Sequence, residues 1–371
     1  MLPSWSANSK DFGLYPRGFV PRPMMNRVEV FPGSERRCTI QVDRGLLSDV
    51  ADRLGRLGHW HSVHILADAL LERQASALAG ALKAPSPMLR TSGEGVKTLT
   101  VLEDVAEELL QARARRNSLL VVLGGGTLCD LGAFLGAVYQ RGIDVALLPS
   151  TSLAMVDAAV GGKNGVHLAD RKNMIGTIHQ PVYIGVDLDL LDTLPDDGFR
   201  EGLVEWVKMA MILDADAYLR CEEIIPAAAA REPAAVAEAV ATGIDLKLDV
   251  VRQDEKEAGR RLLLNFGHTV GHAMETVSDF ELRHGEAVAL GMRVEMDAVS
   301  KGNPDRLDGV LEALGIDLER RFDFDADALW EVMRADKKIR DDAVRVAVPL
   351  KLGVGHVETI TREDLGRALT R

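Results

Sequence analysis

The sequence predicts two successive domains: an α/β domain with a mainly parallel, Rossmann-like sheet, and a helical domain after it. Short apolar stretches alternate with segments of helical periodicity up to about residue 195, which is typical of a parallel sheet covered by helices. From there to about residue 335 almost every segment has helical periodicity. A chain of 371 residues is long enough to give both domains a core. We therefore predict an N-terminal arm over residues 1–26, the α/β domain over 27–195 and the helical domain over 196–371.

The elements of the α/β domain are predicted from periodicity and turn residues. Residues 27–45 alternate apolar and polar side chains around a Pro-Gly turn, as the two strands of a hairpin do. Further elements, in chain order, are a helix from Leu46, a strand over 61–68, a helix over 69–82, a helix up to about Arg115, a strand over 118–123, a helix over 128–139, and strands over 145–149 and 182–187. The evenly spaced apolar residues of the 69–82 helix are Leu70, Leu71, Ala75, Leu78 and Leu82.

The C-terminal part is predicted to be almost entirely helical. Its helical pattern includes the alanine-rich stretch 226–242. A short strand over 344–349 is predicted near the end.

Composition narrows the class of protein. Apolar residues make up 47% of the chain and charged residues 27%, as in ordinary soluble globular proteins. The net charge of −12 argues against nucleic-acid binding, and an anionic substrate would need local clusters of cations. The three cysteines, Cys38, Cys129 and Cys221, are far apart, which favours the reducing cytoplasm over a disulfide framework. We expect no membrane span and no secretory signal, and we expect residues 1–26 to be a poorly ordered arm.

A glycine-rich turn is the first candidate binding site. Gly124, Gly125 and Gly126 follow a predicted strand and precede a predicted helix, so main-chain amides there can approach a diphosphate closely. Asp130, in the first turn of that helix, is either a capping acid or a ribose contact. Because glycine-rich turns between a strand and a helix are common, this turn does not by itself establish nucleotide binding.

Two further patterns each have a functional and a structural interpretation. Lys163 follows two glycines and is a candidate phosphate or nucleotide contact, although a surface loop with solvated lysines has the same pattern. Glu205 and Lys208 lie three residues apart on one predicted helical face, where a simple ion pair is the common arrangement.

Three of the nine histidines fall close together. His268 and His272 are four residues apart and share one helical face, and His284 follows a break that can return a second helix antiparallel. A polar helix with incidental histidines is the alternative. With Glu205, His268 and His284 make the two-histidine, one-carboxylate set of a catalytic zinc site. Cationic contacts for an anionic substrate would come from Lys163, Lys172, Lys247, Arg261, Lys337 and Lys338.

At these residues the chain resembles the 3-dehydroquinate synthase family of sugar-phosphate cyclases. The similarity extends from about residue 30 to 350, and the motifs keep the family order. The matching stretches are Ser92-Gly93-Glu94-x-x-Lys97-Thr98, Gly124-Gly125-Gly126-x-x-x-Asp130, Tyr139-x-Arg141-Gly142-Ile143, Pro149-Ser150-Thr151 through Asp157, Gly161-Gly162-Lys163, Lys172-Asn173-x-Ile175-Gly176, Glu205-x-x-Lys208, Arg261-x-x-x-Asn265-x-Gly267-His268-Thr269-x-Gly271-His272, and His284-Gly285-Glu286-Ala287-Val288.

The resemblance implies an NAD-binding α/β domain and an all-α C-terminal domain that binds zinc or cobalt. It implies that Glu205, His268 and His284 bind the metal. The NAD contacts that it implies are Asp68, Glu94, Lys97, Gly125, Gly126, Asp130, Ser150, Thr151, Asp157, Lys163, Lys172, Thr193 and Leu194. The substrate and catalytic contacts that it implies are Lys163, Asn173, Lys208, Lys247, Arg261, Asn265, His272, Lys337 and Lys338. Arg141 resembles the arginine that family members lend to a partner subunit, which implies a homodimer.

The reaction implied is that of a carbon–oxygen lyase acting on a phosphate. NAD oxidises a substrate alcohol, phosphate is eliminated, the hydride returns, the ring opens, and an aldol addition closes a carbocycle. Lys247 and Arg261 match a pair that resembles a carboxylate clamp, which favours 3-deoxy-D-arabino-heptulosonate 7-phosphate as substrate and 3-dehydroquinate as product, a step of aromatic amino acid biosynthesis.

Departures from the family pattern leave two other enzyme classes open. The departures are Ser150, Asn164, His167, Trp206 and Arg283. They allow a specialised natural-product cyclase, either an aminodehydroquinate synthase or a sedoheptulose 7-phosphate cyclase. An NAD- and metal-dependent polyol dehydrogenase related to glycerol dehydrogenase would release NADH, whereas a cyclase releases phosphate. A non-catalytic binding protein is disfavoured because the whole catalytic set is present.

Overall fold

The computed structural model describes residues 25–31, 33–34, 36–91, 93–169, 171–300, 304–336 and 343–370. The predicted arm lies outside these residues except at its end. Met25 and Asn26, the last two residues of the predicted arm, belong to the first strand.

The first half of the chain forms a seven-stranded sheet and a separate hairpin. The strands are β1 Met25–Val30, β2 Arg37–Asp43, β3 Val63–Asp68, β4 Met88–Arg90, β5 Leu119–Gly124, β6 Asp144–Pro149, β7 Lys163–Leu168, β8 Arg171–Ile178 and β9 Tyr183–Asp187. The helices are α1 Leu46–Leu57, α2 Glu72–Leu82, α3 Leu99–Gln111 and α4 Gly126–Val138. The sheet order is β1-β2-β9-β6-β5-β3-β4, and only the β1–β2 pair is antiparallel. The predicted parallel sheet and the predicted N-terminal hairpin are confirmed.

The sheet reverses its strand order next to the glycine-rich turn. From β3 the chain moves outward to β4 and returns on the other side of β3 to form β5. Crevices that bind ligands in such sheets lie at this reversal, outside the carboxyl ends of the strands. Every residue of β5 is buried, because helices cover both faces of the sheet.

Two details of the predicted helices were wrong. Leu70 is 87% exposed because residues Ala69–Leu71 form a 3-10 turn before α2 begins. Helix α4 begins at Gly126 and ends at Val138, and Tyr139–Arg141 is a 3-10 turn.

The β7–β8 hairpin was not predicted. Its strands approach so closely that a Cβ at Gly165 would lie 2.5 Å from the Ile175 carbonyl oxygen. A Cβ at Gly176 would likewise lie 2.0 Å from the carbonyl oxygen of Asn164. Glycine is therefore required at both positions, and the glycines that the sequence offered as a flexible loop close a hairpin instead.

The second half is helical with one hairpin. Its helices are α5 Asp196–Leu213, α6 Ala215–Ala229, α7 Pro233–Gln253, α8 His268–Val277, α9 His284–Val299, α10 Pro304–Ala313, α11 Ala326–Asp336 and α12 Arg362–Ala368. The predicted C-terminal strand is β10 Val344–Lys351, and it pairs with an unpredicted strand, β11 Val354–Ile360. Among the described residues, no helix is long and apolar enough to cross a membrane.

Helices α8 and α9 pack antiparallel through glycines, as the break before His284 suggested. A Cβ at Gly271 would meet Ala287 at 2.7 Å, while a Cβ at Gly291 would lie 2.0 Å from the Gly267 carbonyl oxygen. The two main chains are therefore in contact along the crossing.

A buried serine joins the two halves. Ser152, three residues after β6, donates from Oγ to the carbonyl oxygens of Gly198 at 2.9 Å and Phe199 at 2.8 Å. The Gly202 amide donates back to the same Oγ at 3.2 Å. The loop after β6 is thus fixed to α5, and we propose that the domains divide near residue 195, where α5 begins.

Candidate functional site

The glycine-rich turn lies at the carboxyl edge of the sheet. Gly125 caps α4 without a side-chain hydrogen bond, so no side chain occupies the amides of Gly126 and Thr127 at the start of the helix. A Cβ at Gly125 would lie 3.3 Å from the methyl group of Thr151, and one at Gly126 would lie 3.1 Å from the Cβ of Ala158. Main-chain amides and the helix dipole together favour an anion such as a diphosphate.

On one side of this turn, the buried side chain of Lys97 contacts two other predicted binding residues. The Lys97 ammonium lies 2.7 Å from Oδ2 of Asp130 and 2.5 Å from Oδ1 of Asn173. Only 4% of Lys97 is exposed. Burial raises the pKa of the Asp130 carboxyl, and the Lys97 charge only partly opposes this effect.

His167 ties the same cluster together, although its type departs from the family pattern. The Asn173 amide donates to His167 Nδ1 at 3.0 Å, so Nε2 carries the proton and donates to Glu94 at 2.5 Å. Burial opposes ionisation of Glu94, but the His167 hydrogen bond and the Lys172 and Lys97 charges together lower its pKa. His167 is therefore part of the candidate cofactor site.

On the other side of the turn, an ion pair crosses between the two halves. The Lys247 ammonium of α7 lies 2.5 Å from the carbonyl oxygen and 2.6 Å from Oδ1 of Asp157, which belongs to a short π-helix, Ala154–Ala158. Burial lowers the pKa of Lys247, and Asp157 opposes this effect. A predicted substrate contact and a predicted NAD contact are thus direct neighbours.

Three elements of the second half bring the predicted metal ligands together. Oε1 of Glu205 on α5 lies 3.4 Å from Nε2 of His268 on α8 and 3.4 Å from Nε2 of His284 on α9. One ligand atom from each residue lies within 4.8 Å of the others. This convergence of a carboxylate and two imidazoles matches the ligand set of an open divalent-metal site.

The state of Glu205 supports a metal at this position. Its side chain is completely buried, and among the described residues neither oxygen accepts a hydrogen bond of good geometry. Burial favours the neutral carboxyl, but the neighbouring Lys208 ammonium and the histidines outweigh burial and lower the Glu205 pKa. A buried carboxylate is costly unless cations compensate its charge. Lys208 supplies one cation at Oε2, and a metal between the two histidines would supply a second at Oε1.

Hydrogen bonds at the far nitrogens orient both histidines. His268 Nδ1 lies 3.1 Å from the Phe266 carbonyl oxygen, which can only accept, so the lone pair of neutral His268 is on Nε2. His284 Nδ1 lies 3.4 Å from Oε1 of Glu275, a buried carboxylate on α8. Although burial opposes protonation of His284, the neighbouring Glu205 and Glu275 carboxylates raise its pKa to about 10. Both Nε2 atoms therefore point toward Glu205.

His272 lies one turn after His268 and is exposed. Its ring centroid is 5.1 Å from that of His268 and 6.0 Å from that of His284. It also forms a second possible ligand group with Glu275 and His284. Because Glu205 is completely buried and its Oε1 lies 3.4 Å from both Nε2 atoms, the group with Glu205 fits a metal better. The substrate contact assigned to His272 stays a prediction.

The predicted substrate cations surround an acidic loop. Arg261 is buried, and its guanidinium donates to the carbonyl oxygens of Glu255 at 2.7 Å and Gly161 at 3.1 Å. Glu257 lies 2.6 Å from the Lys163 ammonium and accepts from the Asn265 amide at 3.5 Å. Lys163, Arg261 and Asn265 are therefore brought together.

Several predicted residues lie apart from this cluster. Asp68 ends β3 and accepts from the Leu70 amide at 2.9 Å. Thr193 is the last residue of the 3-10 turn Leu188–Thr193 after β9, and Leu194 follows it. Arg141 is exposed at the opposite edge of the sheet, one length of α4 from the glycine turn, or about 20 Å. Lys337 and Lys338 lie outside the described residues.

The other departures from the family pattern have structural roles. Asn164 closes the β7–β8 hairpin, since it donates to the Gly162 carbonyl at 3.0 Å and accepts from the Thr177 hydroxyl at 2.7 Å. Trp206 is buried at the packing of α5 on α7, 3.6 Å from a Cβ placed at Gly243. The Ser150 amide donates to the Gly124 carbonyl, and exposed Arg283 lies 3.4 Å from Asp197.

Two acids of the site were missed by the sequence analysis. Glu275 holds His284, and Glu257 lies among the substrate cations. Glu275 falls one helical turn after His272, so helical spacing could have identified it. Nothing in the spacing marks Glu257, which follows the end of α7 in a left-handed conformation with φ of 57°.

Comparison with known proteins gives consistent relatives. Residues 88–201 match the family model for the N-terminal part of 3-dehydroquinate synthase, and residues 202–339 match the model for its C-terminal part. The 3-dehydroquinate synthase of Nitrobacter winogradskyi is 37% identical over 327 residues, which cover 82% of this chain and 85% of that protein.

Two solved structures share the fold. A 2-deoxy-scyllo-inosose synthase complexed with carbaglucose-6-phosphate, NAD+ and Co2+ has a TM-score of 0.83 at 21% identity, covering 93% of this chain and 99% of that one. A 2-epi-5-epi-valiolone synthase from Streptomyces hygroscopicus subsp. jinggangensis, with NAD+ and Zn2+ bound, has a TM-score of 0.80 at 23% identity and covers 93% and 98%.

Proposed function

This chain belongs to the 3-dehydroquinate synthase family, and we propose that it converts 3-deoxy-D-arabino-heptulosonate 7-phosphate to 3-dehydroquinate and phosphate with NAD and a divalent metal. It is then a carbon–oxygen lyase that consumes no net NAD. The metal proposed is zinc, with cobalt as a substitute, as in the solved relatives.

One observation carries this proposal: the metal ligands lie next to the nucleotide cluster. We give that name to the hydrogen-bonded group of Glu94, Lys97, Asp130, His167 and Asn173. The Lys172 ammonium lies 3.9 Å from Glu94 of the nucleotide cluster and 3.9 Å from Glu275, which holds the metal ligand His284. A hydride acceptor at the glycine turn and a metal at Glu205 would therefore face one substrate between them.

The side chains of this protein would mainly bind and orient NAD, the metal and the substrate. When bound, NAD would accept and return a hydride, and the metal would polarise the substrate oxygen at the reacting carbon. The amides at the start of α4 would bind the dinucleotide diphosphate. Lys208, only 1% exposed, places a cation beside Glu205 in a site with little water, where positioning and fixed charge contribute most to catalysis.

Arg261 supports a substrate with a carboxylate. Its guanidinium is held in place by two main-chain carbonyl oxygens, and Lys247 adds a second buried cation. A planar, fixed guanidinium suits bidentate binding of a carboxylate. Sedoheptulose 7-phosphate lacks that group, so the clamp favours the heptulosonate over the alternative substrate.

We further propose a homodimer in which Arg141 completes the site of the partner subunit. Its distance from the glycine turn of its own subunit excludes a contact there. Gln140 and Arg141 both have left-handed backbone conformations, with φ of 52° and 66°. The turn that carries exposed Arg141 is therefore conformationally strained, as turns at functional sites often are.

A phosphate-release assay tests the function. The purified protein with NAD and zinc is expected to release phosphate from the heptulosonate 7-phosphate without accumulating NADH. Turnover of sedoheptulose 7-phosphate alone would reassign the substrate within the family. Accumulation of NADH without phosphate would instead identify a polyol dehydrogenase.

A further inference from the structure

A buried carboxylate that belongs to neither the metal ligands nor the substrate contacts lies behind the metal site. Glu295 is three turns after His284 on α9 and has no exposed surface. Its Oε2 accepts from the Gly267 amide at 2.7 Å, and its Oε1 accepts from the Val270 amide at 3.0 Å. These two amides belong to the start of α8, the helix that begins with His268.

Glu295 therefore caps α8 from a neighbouring helix. Gly267 occupies the N-cap position of α8, where the side chain of the N-cap residue itself would normally accept hydrogen bonds from the free amides. The close approach of Gly267 and Gly291 allows the α9 carboxylate to reach these amides. The cap fixes the first turn of α8 relative to α9, and so it fixes His268 relative to His284.

The same hydrogen bond acts on His268 through a single peptide group. The amide of Gly267 and the carbonyl of Phe266 belong to one peptide unit. The amide donates to Glu295, and the carbonyl accepts from Nδ1 of His268. A carboxylate at one end of a peptide polarises it and strengthens the carbonyl as an acceptor at the other end.

We propose that Glu295 is a positioning residue for the metal site, acting through the Phe266–Gly267 peptide on His268. It holds the imidazole with Nε2 toward Glu205, and it increases the electron donation of Nε2 to a bound divalent metal. Groups that hydrogen-bond to metal-ligating histidines control both ring orientation and ligand strength. Here the Glu295 carboxylate acts indirectly, because the Phe266–Gly267 peptide lies between it and the imidazole ring.

This inference rests on the metal site of the proposed function, but its test requires no turnover. The full-length protein, freed of metal, is titrated with Co2+, and binding is followed by visible absorption and by competition with a chelator. Glu295→Gln keeps the volume of the side chain but removes its charge and turns an NH2 group toward the donating amides. We expect it to weaken Co2+ binding about 10- to 100-fold and to change the absorption bands.

Asp308→Asn is the matched control. Asp308 on α10 pairs with Arg293 of α9, 3.0 Å from its Nε, and its substitution also removes a carboxylate from the packing of α9. This variant should lower the thermal midpoint without changing Co2+ affinity or absorption. Glu295→Asp keeps the charge on a shorter side chain and should give an intermediate affinity, which keeps the test usable if Glu295→Gln does not fold.

Two results would overturn the inference. One is a Co2+ affinity and spectrum in the Glu295 variants equal to those of the unmodified protein. The other is an equal loss of affinity in Asp308→Asn, which would show general loosening of α9. Failure of the unmodified protein to bind Co2+ stoichiometrically would instead refute the metal site of the proposed function.

Discussion

The Lys247 ammonium lies 2.6 Å from Oδ1 of Asp157, so a predicted substrate contact and a predicted NAD contact form one ion pair. Lys247 is on α7 of the second half, and Asp157 follows β6 of the first. If both assignments hold, the proposed substrate and NAD sites share a pair of charges that spans both halves.

This pair predicts coupled effects of mutation. Lys247→Met should raise both KM for the substrate and the dissociation constant of NAD, because Asp157 loses its cation. In a double-mutant cycle with Asp157→Asn, kcat/KM should show a coupling energy of about 1–3 kcal/mol. The exposed pair of Arg220 and Glu223, 2.8 Å apart on α6, serves as the control and should show less than about 1 kcal/mol. Additive losses in the first cycle would contradict the shared role.

Arg261 should discriminate substrates by their carboxylate. Arg261→Ala is expected to lower kcat/KM for the heptulosonate by about 30- to 1000-fold, equivalent to about 2–4 kcal/mol, because a buried charged hydrogen-bond partner is lost. Binding of a carboxylate-free sugar phosphate, measured by inhibition, should change far less. Arg260→Ala, next in the chain but exposed and paired with Asp249, should leave both unchanged. Equal losses on both ligands would show that Arg261 does not bind the carboxylate.

Alanine variants of His268 and His272 should differ in the amount of metal that they bind. His268→Ala removes one of three ligands and should yield protein without bound zinc after dialysis, as measured by atomic absorption. His272→Ala should retain one zinc per chain and lose activity through the substrate instead. Zinc loss in His272→Ala with retention in His268→Ala would move the metal to the group of His272, Glu275 and His284.

The glycine crossing of α8 and α9 should be intolerant of a methyl group. Gly291→Ala is expected to destabilise the protein by about 1–3 kcal/mol, since its Cβ would lie 2.0 Å from the Gly267 carbonyl oxygen. Gly309→Ala on α10 provides the control, because no atom lies within 4 Å of its added Cβ. It should be neutral or stabilise by up to about 1 kcal/mol. Urea denaturation measures both, and an unchanged midpoint in Gly291→Ala would refute the tight crossing.

Complementation tests the lent arginine. Arg141→Ala and His268→Ala should each be inactive alone. In a mixed dimer, the subunit with intact His268 receives Arg141 from its partner, so mixing the two variants should restore part of the activity. Light scattering establishes the dimer, and persistent inactivity of verified mixed dimers would show that Arg141 does not act across the interface.

The sequence predicted the parts of the fold that are marked by apolar stretches, helical periodicity or glycine-rich turns. Buried strands such as β5 appear as continuous apolar stretches, and the glycine-rich turn directly follows one of them. Glu205 was assigned to the metal through family resemblance, with histidines that lie 63 and 79 residues further along the chain, and the structure brings these residues together.

Residues whose role depends on packing could not be predicted in this way. Glu295 reaches the amides of α8 only because two glycines let the helices touch, and no spacing along the chain encodes that contact. Glu257 is placed by a left-handed turn after α7. The hairpin β7–β8 was missed because its glycines also suit a loop.

The order of the metal ligands along the chain has a consequence for biosynthesis. Glu205 is synthesised 79 residues before His284, which at about 5–20 residues per second corresponds to about 4–16 seconds of translation. Throughout that interval α5 carries a carboxylate destined for complete burial, while at least one of the two imidazoles is still missing, since His268 is made 63 residues after Glu205 and His284 only at the end. A nascent chain that stalls before residue 284 can complete the seven strands of the sheet, but it lacks a metal ligand. With the proposed ligands, a complete metal site can therefore form only after translation has passed His284.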